Sequence, residues 1–465
     1  RIHQAKKNFL EKFKTASYYY SIYEVRFHIK IVNSKLSNRK LKASVISMVD
    51  IDYFVYIFMK TFIIIGLALL AGSVSASAQD SEKTFQVVVE NPWQTEKTDE
   101  PVVIDLHTLK TGFTVKSAVV SDGTSEIPSQ LDDMNGDTRA DELAFVIDVP
   151  AQGKKTLTVT LSPKKSDKVY PARVFAEMLF RTSKKNQYAK GYAIYADGNA
   201  YTYTIQQHHG IAFESELVAY RIYFNEKQTT DLYGKFRKGL EIEESQFYPT
   251  DEQLKRGFGD DVIKVNNSCG AGTLRGWDGT QTTMIQPVDI RGQRILADGP
   301  VRTVVDAEVK GWQYQGKELN MINRYTLYAG HRDAQVDVIF DAPLTDEVFA
   351  TGVQNITGHA AMYSDHEGLV ASWGTDWPVN DTVKYKKETV GLATYIPKKL
   401  VVKETADKEN FLYTVSAPGE SSFRYYTSFT SCKETFGYPT KEKWFAYVQE
   451  WKKYLEQPVK IQVIE

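Results

Sequence analysis

The sequence predicts an all-β protein built around a large antiparallel β-sandwich. Three observations carry this. Short runs of alternating apolar and polar residues fill most of the chain. Tyr, Phe, Trp, Val and Thr are abundant, as suits pleated and half-buried surfaces. Long helical periodicity is nearly absent outside one C-terminal segment. In chain order, Phe85 to Val89 opens the domain as a strand, and Thr156 to Leu161 alternates cleanly. Val305 to Val309 and Gln335 to Phe340 repeat the pattern, with turns at Ala151-Gln152-Gly153 and Tyr328-Ala329-Gly330. A short helix is expected near Asp251, preceded by Pro249 and capped by Thr250. From Lys441 to Leu455, Trp444, Phe445, Val448, Trp451 and Leu455 recur at helical spacing and predict a C-terminal helix. Residues 79–165 are expected to form a small N-terminal β-sandwich part, joined through Ser162-Pro163-Lys164-Lys165-Ser166 to a larger sandwich over 166–465.

Met59-Lys60-Thr61, the apolar run Phe62 to Leu70 and the small-residue pattern Ala76-Ser77-Ala78 read as a cleaved signal peptide over 59–78. Gln79 would be the first mature residue. The apolar run is shorter than the roughly 20 residues that cross a bilayer, so no membrane span is expected in the mature chain. No cysteine follows the cleavage site, which argues against a lipid anchor. The expected location is the periplasm or the exterior. Residues 1–58 are expected to be upstream sequence translated in error, with Met59 as the start. They hold 11 Lys and Arg against 4 Asp and Glu, and Lys60 adds one more cation. The whole chain's formal charge of −1 therefore becomes −9 over residues 79–465. An acidic domain lacks the basic surface that nucleic acid requires. Cys269 and Cys432 could form one disulfide, but the sequence does not place them together. Nor does it give an oligomeric state.

The densest chemistry lies between Gln206 and Lys235. The run Tyr220-Arg221-Ile222-Tyr223-Phe224 predicts a strand with Arg221 and Tyr223 on one face and Tyr220, Ile222 and Phe224 on the core face. His208 and His209 are the candidate proton carriers, with Tyr223 and Tyr233 as further acids or bases. Arg221 is the candidate clamp for a carboxylate, and Lys235 a point charge for one. Glu214 and Glu216 rank second, because adjacent acids usually form a solvated edge. Trp277, in Arg275-Gly276-Trp277-Asp278-Gly279, reads as an exposed loop ring able to stack on a sugar, with Trp312, Trp373 and Trp377 as further rings and His359 as a further binding residue. Each of these has an ordinary structural alternative: a bonded loop histidine, a cross-strand ladder or a core tryptophan.

The loop carrying Asp133, Asn135, Asp137 and Asp141 spaces oxygen ligands as calcium loops do. The glutamate that closes a full calcium hand is missing, and a polar turn held by Asx bonds is the favoured reading. No cofactor is expected to be required, and structural calcium is the one candidate. His-Glu-x-x-His is absent, which argues against a zinc hydrolase centre, and the glycine-rich stretch Cys269 to Gly279 lacks the Gly-Lys-Ser/Thr of a phosphate loop.

The segments Gly299 to Val305 and Asn323 to Gly330 resemble the strand pattern of the galactose-mutarotase-like super-sandwich, which recurs in aldose epimerases, polysaccharide lyases and glycoside hydrolases. More closely, residues 80–460 resemble a bacterial family designated only as a domain of unknown function. The resemblance rests on His209-Gly210 through Tyr223, Asp231-Leu-Tyr-Gly-Lys235, Tyr248-Pro-Thr-Asp-Glu-Gln253 and Gly270 through Gly279. It implies an exported protein of glycan-degrading bacteria, working beside enzymes for pectin-type and other uronic-acid polymers. The expected partner is an oligosaccharide, and the expected activity a lyase or hydrolase on uronic-acid-containing chains. An aldose-epimerase-like enzyme and a non-catalytic glycan-binding protein are the alternatives.

Overall fold

The computed structural model describes residues 82–185, 187–358 and 360–465. The expected upstream segment and signal peptide lie outside them, as does His359. Residues 83–162 build two facing sheets. One orders Lys460–Ile464, Lys83–Glu90, Lys154–Ser162, Ser117–Ser121 and Glu126–Ile127; the other orders Lys97–Asp105, Glu142–Val149 and Ser129–Asp132. Alternation decides which side chains face inward. Phe85, Val87 and Val89 meet Val102, Ile104, Phe145 and Leu157 in one buried cluster. The strand Lys460–Ile464 returns from the far end of the chain to pair antiparallel with Lys83–Glu90.

The remaining strands form three further antiparallel sheets around one extended core. The nine-stranded sheet runs Ala193–Asp197, Ile290–Asp298, Arg302–Tyr314, Lys317–Tyr328, Ala334–Phe340, Ser422–Ser431, Glu388–Tyr395, Leu369–Asp376, Ala361–Ser364. A six-stranded sheet runs Asp260–Asp261, Thr230–Gly234, Ala219–Tyr223, Gly210–Ser215, Val174–Arg181, Tyr188–Gly191. Tyr220, Ile222 and Leu232 from the six-stranded sheet share a core with Val305, Tyr325 and Val336 from the nine-stranded one. The predicted all-β sandwich with a C-terminal helix is therefore the architecture found.

Three helices among the described residues matter here: α1 (Ile242–Ser245), α2 (Asp251–Lys255) and α3 (Lys441–Glu456). The Thr250 hydroxyl accepts from Gln253 N at 3.2 Å, and the Gln253 side chain accepts from Thr250 N at 2.7 Å, so α2 starts with a capping box. The Trp444, Val448 and Trp451 face of α3 packs on Leu369, Ala371 and Ala393. Gly391 permits this approach: a Cβ there would lie 2.6 Å from the Trp444 ring. Among the described residues no helix is long and apolar enough to cross a membrane. Cys269 is buried, Cys432 is exposed, and both are free thiols.

A polar cleft at the edge of the six-stranded sheet

The outer face of the six-stranded sheet carries a cleft of about 480 Å³ whose lining includes Tyr203, Arg221, Tyr223, Asp231, Tyr248 and Asp261. Strand register assembles its floor. Arg221 stands directly opposite Asp231, and Tyr233 opposite Asp261. Gly210 closes the pairing from the other side: opposite Tyr223, a Cβ at Gly210 would collide with the Ile222 carbonyl. Tyr248 arrives by a tight reversal after α1. Gln246 and Phe247 adopt φ of +50° and +66°, a left-handed pair that costs backbone strain at non-glycine residues. The reversal lays the Phe247 ring 4.2 Å from the Arg221 guanidinium carbon and brings the Tyr248 hydroxyl to Arg221 Nη1 at 2.8 Å.

Arg221 is 2% exposed, and its charge is met in place. Nη2 donates to the Asp231 carboxylate and to the Tyr223 hydroxyl (2.7 Å), which in turn donates to Asp231 (2.8 Å). Asp261 Oδ1 lies 3.7 Å from the same nitrogen and has no hydrogen-bond partner among the described residues. Burial raises the Asp261 carboxyl well above the usual carboxylate range, and the neighbouring Asp231 and Asp260 reinforce the shift against the pull of Arg221. Burial thus favours the protonated form of an acid that lines the cleft.

The two adjacent histidines separate. His209, at φ +66°, stacks on Tyr203 with ring centroids 3.6 Å apart, and its Nδ1–H donates to Tyr203 O at 2.6 Å. Nε2 is then the basic nitrogen. Burial lowers the His209 pKa, so the ring is neutral at neutral pH. His208 is fully buried. Its Nδ1–H donates to Gly210 O, and Nε2 faces Glu177 Oε1, both at 3.1 Å. A bond at Nε2 requires one further proton. Burial pushes Glu177 up to about 8 and His208 down to about 3, so Glu177 carries it at neutral pH.

This pair has a pH signature. Glu177's folded pKa is raised, so its contribution to stability is complete below its ordinary value of 4.5 and is lost as pH rises through about 8. His208's is lowered, so its contribution is complete above 6.5 and is lost as pH falls through about 3. The two oppose each other between 4.5 and 6.5; above that only Glu177 acts. Glu177→Gln keeps a donor for His208 and cannot ionise. Urea unfolding should show the parent losing about 1–2 kcal/mol more than this variant between pH 6.5 and 8. Parallel stability profiles would rule the shared proton out.

Several residues singled out in the sequence stand elsewhere, which corrects their assigned roles. His208 has both ring nitrogens engaged inside the core, so it does not face the cleft. Tyr233 is buried and donates to Glu241 at 3.0 Å. Lys235 is 0% exposed, and its ammonium is spent on Glu214, Ser215 O and Gly239 O. Arg221 cannot fork onto a substrate carboxylate, because Asp231 and two tyrosines already occupy it. Trp277 lies on the strand Arg275–Trp277, 5% exposed, packed with Cys269, Ala350 and Leu412. It offers no ring to a sugar, and Trp312 and Trp373 are likewise buried.

In the acidic loop, the Asp133 carboxylate accepts from the backbone N–H groups of Asn135, Gly136, Asp137 and Thr138. Asp141 accepts from Met134 N, Asn135 N, the Asn135 amide and His107, and Asp137 accepts from Arg139 N. These are the bonds of a polar turn. Among the described residues no group of three or more His, Cys, Asp or Glu is arranged to hold a metal ion.

Asp261 and Tyr248 were not singled out as site residues in the sequence. Asp261 reaches the cleft only through strand pairing across α1 and α2, for which local alternation gives no signal. Tyr248 stands in the Tyr248-Pro249-Thr250 segment, visible as a motif without a role.

No curated protein matches the chain. Among solved structures, it is similar to a glycosyl hydrolase family 38 protein from Enterococcus faecalis, at 9% identity and a TM-score of 0.43, with 82% of this chain and 47% of that one covered. An alpha-mannosidase from Enterococcus faecalis V583 gives 11% identity, a TM-score of 0.40, and 82% and 46% coverage. The chain spans less than half the length of either. Residues 89–461 match the family described as Domain of unknown function (DUF4861). With that match running from the first strand to the last, the chain belongs to this family.

Proposed function

We propose that the protein is an exported carbohydrate-active enzyme that cleaves a glycosidic bond in a uronic-acid-bearing oligosaccharide held in the Arg221 cleft. One observation carries the reading: Asp261, whose Oδ1 accepts no hydrogen bond among the described residues and whose proton burial favours, lines a polar cleft flanked by the exposed rings of Tyr203 and Tyr248. These rings are 41% and 40% exposed, enough to stack on a sugar's C–H face. Charge favours an acidic sugar. Asp231 and Asp261 face Arg221, whereas Lys227 and Lys264 also line the cleft and are not ion-paired among the described residues, so cations outnumber acids even with both carboxyls ionised. The cleft is therefore net positive. In this reading Asp261 gives its proton to the departing oxygen and the lysines hold the uronate. His209 Nε2, on the ring stacked against the lining Tyr203, takes a proton from the water that attacks the sugar carbon or, in elimination, from the carbon beside the carboxylate as the double bond forms. Tyr223 serves as a donor to Asp231, since burial and that carboxylate raise its pKa far out of range for a base.

The test uses pectic, glycosaminoglycan and ulvan-type oligosaccharides. Product absorbance and reducing ends are followed together. Reducing ends should rise; absorbance of an unsaturated product alongside them assigns elimination, and reducing ends alone assign hydrolysis. His209→Ala should abolish turnover with little change in melting temperature, because the ring is half-buried at the surface. Calorimetric binding without either product overturns the catalytic reading and leaves a glycan-binding protein.

A further inference from the structure

A second cavity, of about 540 Å³, opens where the N-terminal sheets, the nine-stranded sheet and α3 meet. It shares no lining residue with the Arg221 cleft. Its volume lies within the roughly 300–1,000 Å³ of small-molecule sites. Aromatic rings reach it from three separate segments: Trp93 from the loop after the first strand, Phe436 and Tyr438 from the connection before α3, and Trp451 from α3 itself. Tyr438 already stacks on Tyr447 with centroids 4.4 Å apart and lies under Arg332, and Trp451 is buried, so Trp93 is the ring that offers a face to a flat apolar surface.

The polar groups of the cavity are matched in sign. His331 Nδ1 contacts Asp333 at 3.2 Å and Nε2 contacts Asp99 O at 2.9 Å. Both partners only accept, so the ring holds two protons and its charge is met by Asp333. Arg332 is bound by Glu434 at 3.2 Å, and Glu450 by Lys453 at 2.6 Å. Of the remaining lining charges, Lys238 and Glu96 are one of each sign. A charged ligand would gain nothing here that it does not lose in desolvation. A ligand with an apolar face and many hydroxyls fits both the rings and the balanced donors and acceptors.

We infer that this cavity is a second carbohydrate site, which binds a neutral pyranose unit by stacking on Trp93 with hydroxyls directed to Glu96 and Lys238. It does not depend on the chemistry assigned to the Arg221 cleft. It would let one molecule grip a neutral stretch of a glycan independently of the acidic unit.

The probes are cellobiose, maltose and lactose, titrated at millimolar concentration into the intact protein by calorimetry and by tryptophan fluorescence. At least one should bind saturably and perturb the emission. Trp93→Ala should weaken that binding about tenfold, Trp93→Phe should restore most of it, and Tyr203→Ala in the other cleft should leave it unchanged. The inference is overturned if none of the three disaccharides binds. It is equally overturned if binding persists at full strength in Trp93→Ala, or is lost in Tyr203→Ala.

Discussion

Lys235→Met is expected to lower stability by about 3–5 kcal/mol, the loss typical when one partner of a buried ion pair is removed. Lys235 and Glu214 are each 0% exposed. The Glu214 carboxylate also accepts from Glu241 N at 2.9 Å and from Ile242 N at 2.8 Å, tying the start of α1 to the six-stranded sheet. Methionine fills the lysine's volume but strands the carboxylate in the core, so the cost is electrostatic rather than a cavity. Two readouts identify that cause. The loss should shrink in acid, where the stranded carboxyl takes up a proton. Adding Glu214→Gln should recover a large part of it, because the amide oxygen still accepts from the helix start and no charge is left. Urea unfolding of the two single variants and the double variant measures this. A double variant no more stable than Lys235→Met would show that the lysine's carbonyl contacts, not the ion pair, dominate.

The second large effect is on turnover. Asp261→Asn should reduce it by about 10²–10⁴-fold, the usual contribution of a positioned general acid. Melting temperature should hardly move, since asparagine copies the carboxyl's shape and burial already favours its uncharged form. Binding should also survive, because the tyrosine rings and lysines that grip the sugar remain, so kcat falls while KM changes little. Activity of the parent should decline on the alkaline side as Asp261 loses its proton, and that limb should vanish from the residual activity of the variant. Full turnover in Asp261→Asn removes the acid from the mechanism and with it the reason to read the cleft as catalytic.

Much of the fold could be read locally. Period-two alternation over Tyr220 to Phe224 is a direct record of which side chains face the core, and Tyr220 and Ile222 are indeed in it. The Thr250 cap and the Trp444/Val448/Trp451 stripe are equally local, since a cap and a helix face are written within a few residues. What alternation cannot encode is which strands become neighbours. Asp261 meets Arg221 because two short helices fold back between Gly234 and Asp260. Trp277 looks like a loop residue among glycines, yet pairing of Arg275 with Ala350 buries it. Lys460–Ile464 carries no buried alternation to announce a strand, because most of its side chains stay in solvent. The histidine pair shows the limit most sharply. Two identical neighbours receive opposite environments because Gly210 pins the backbone and His209 turns through a left-handed conformation.

The pairing of Lys460–Ile464 with Lys83–Glu90 also sets a schedule. A ribosome releases the first of these strands hundreds of residues before the second. Until then Gln86 to Glu90 presents an open row of backbone donors and acceptors on a β-branched strand, the kind of edge that recruits foreign chains. The small sandwich is thus first to be made and last to be closed. Deleting the final strand should therefore show itself less as a loss of the cleft than as a tendency of newly made chains to stick to one another.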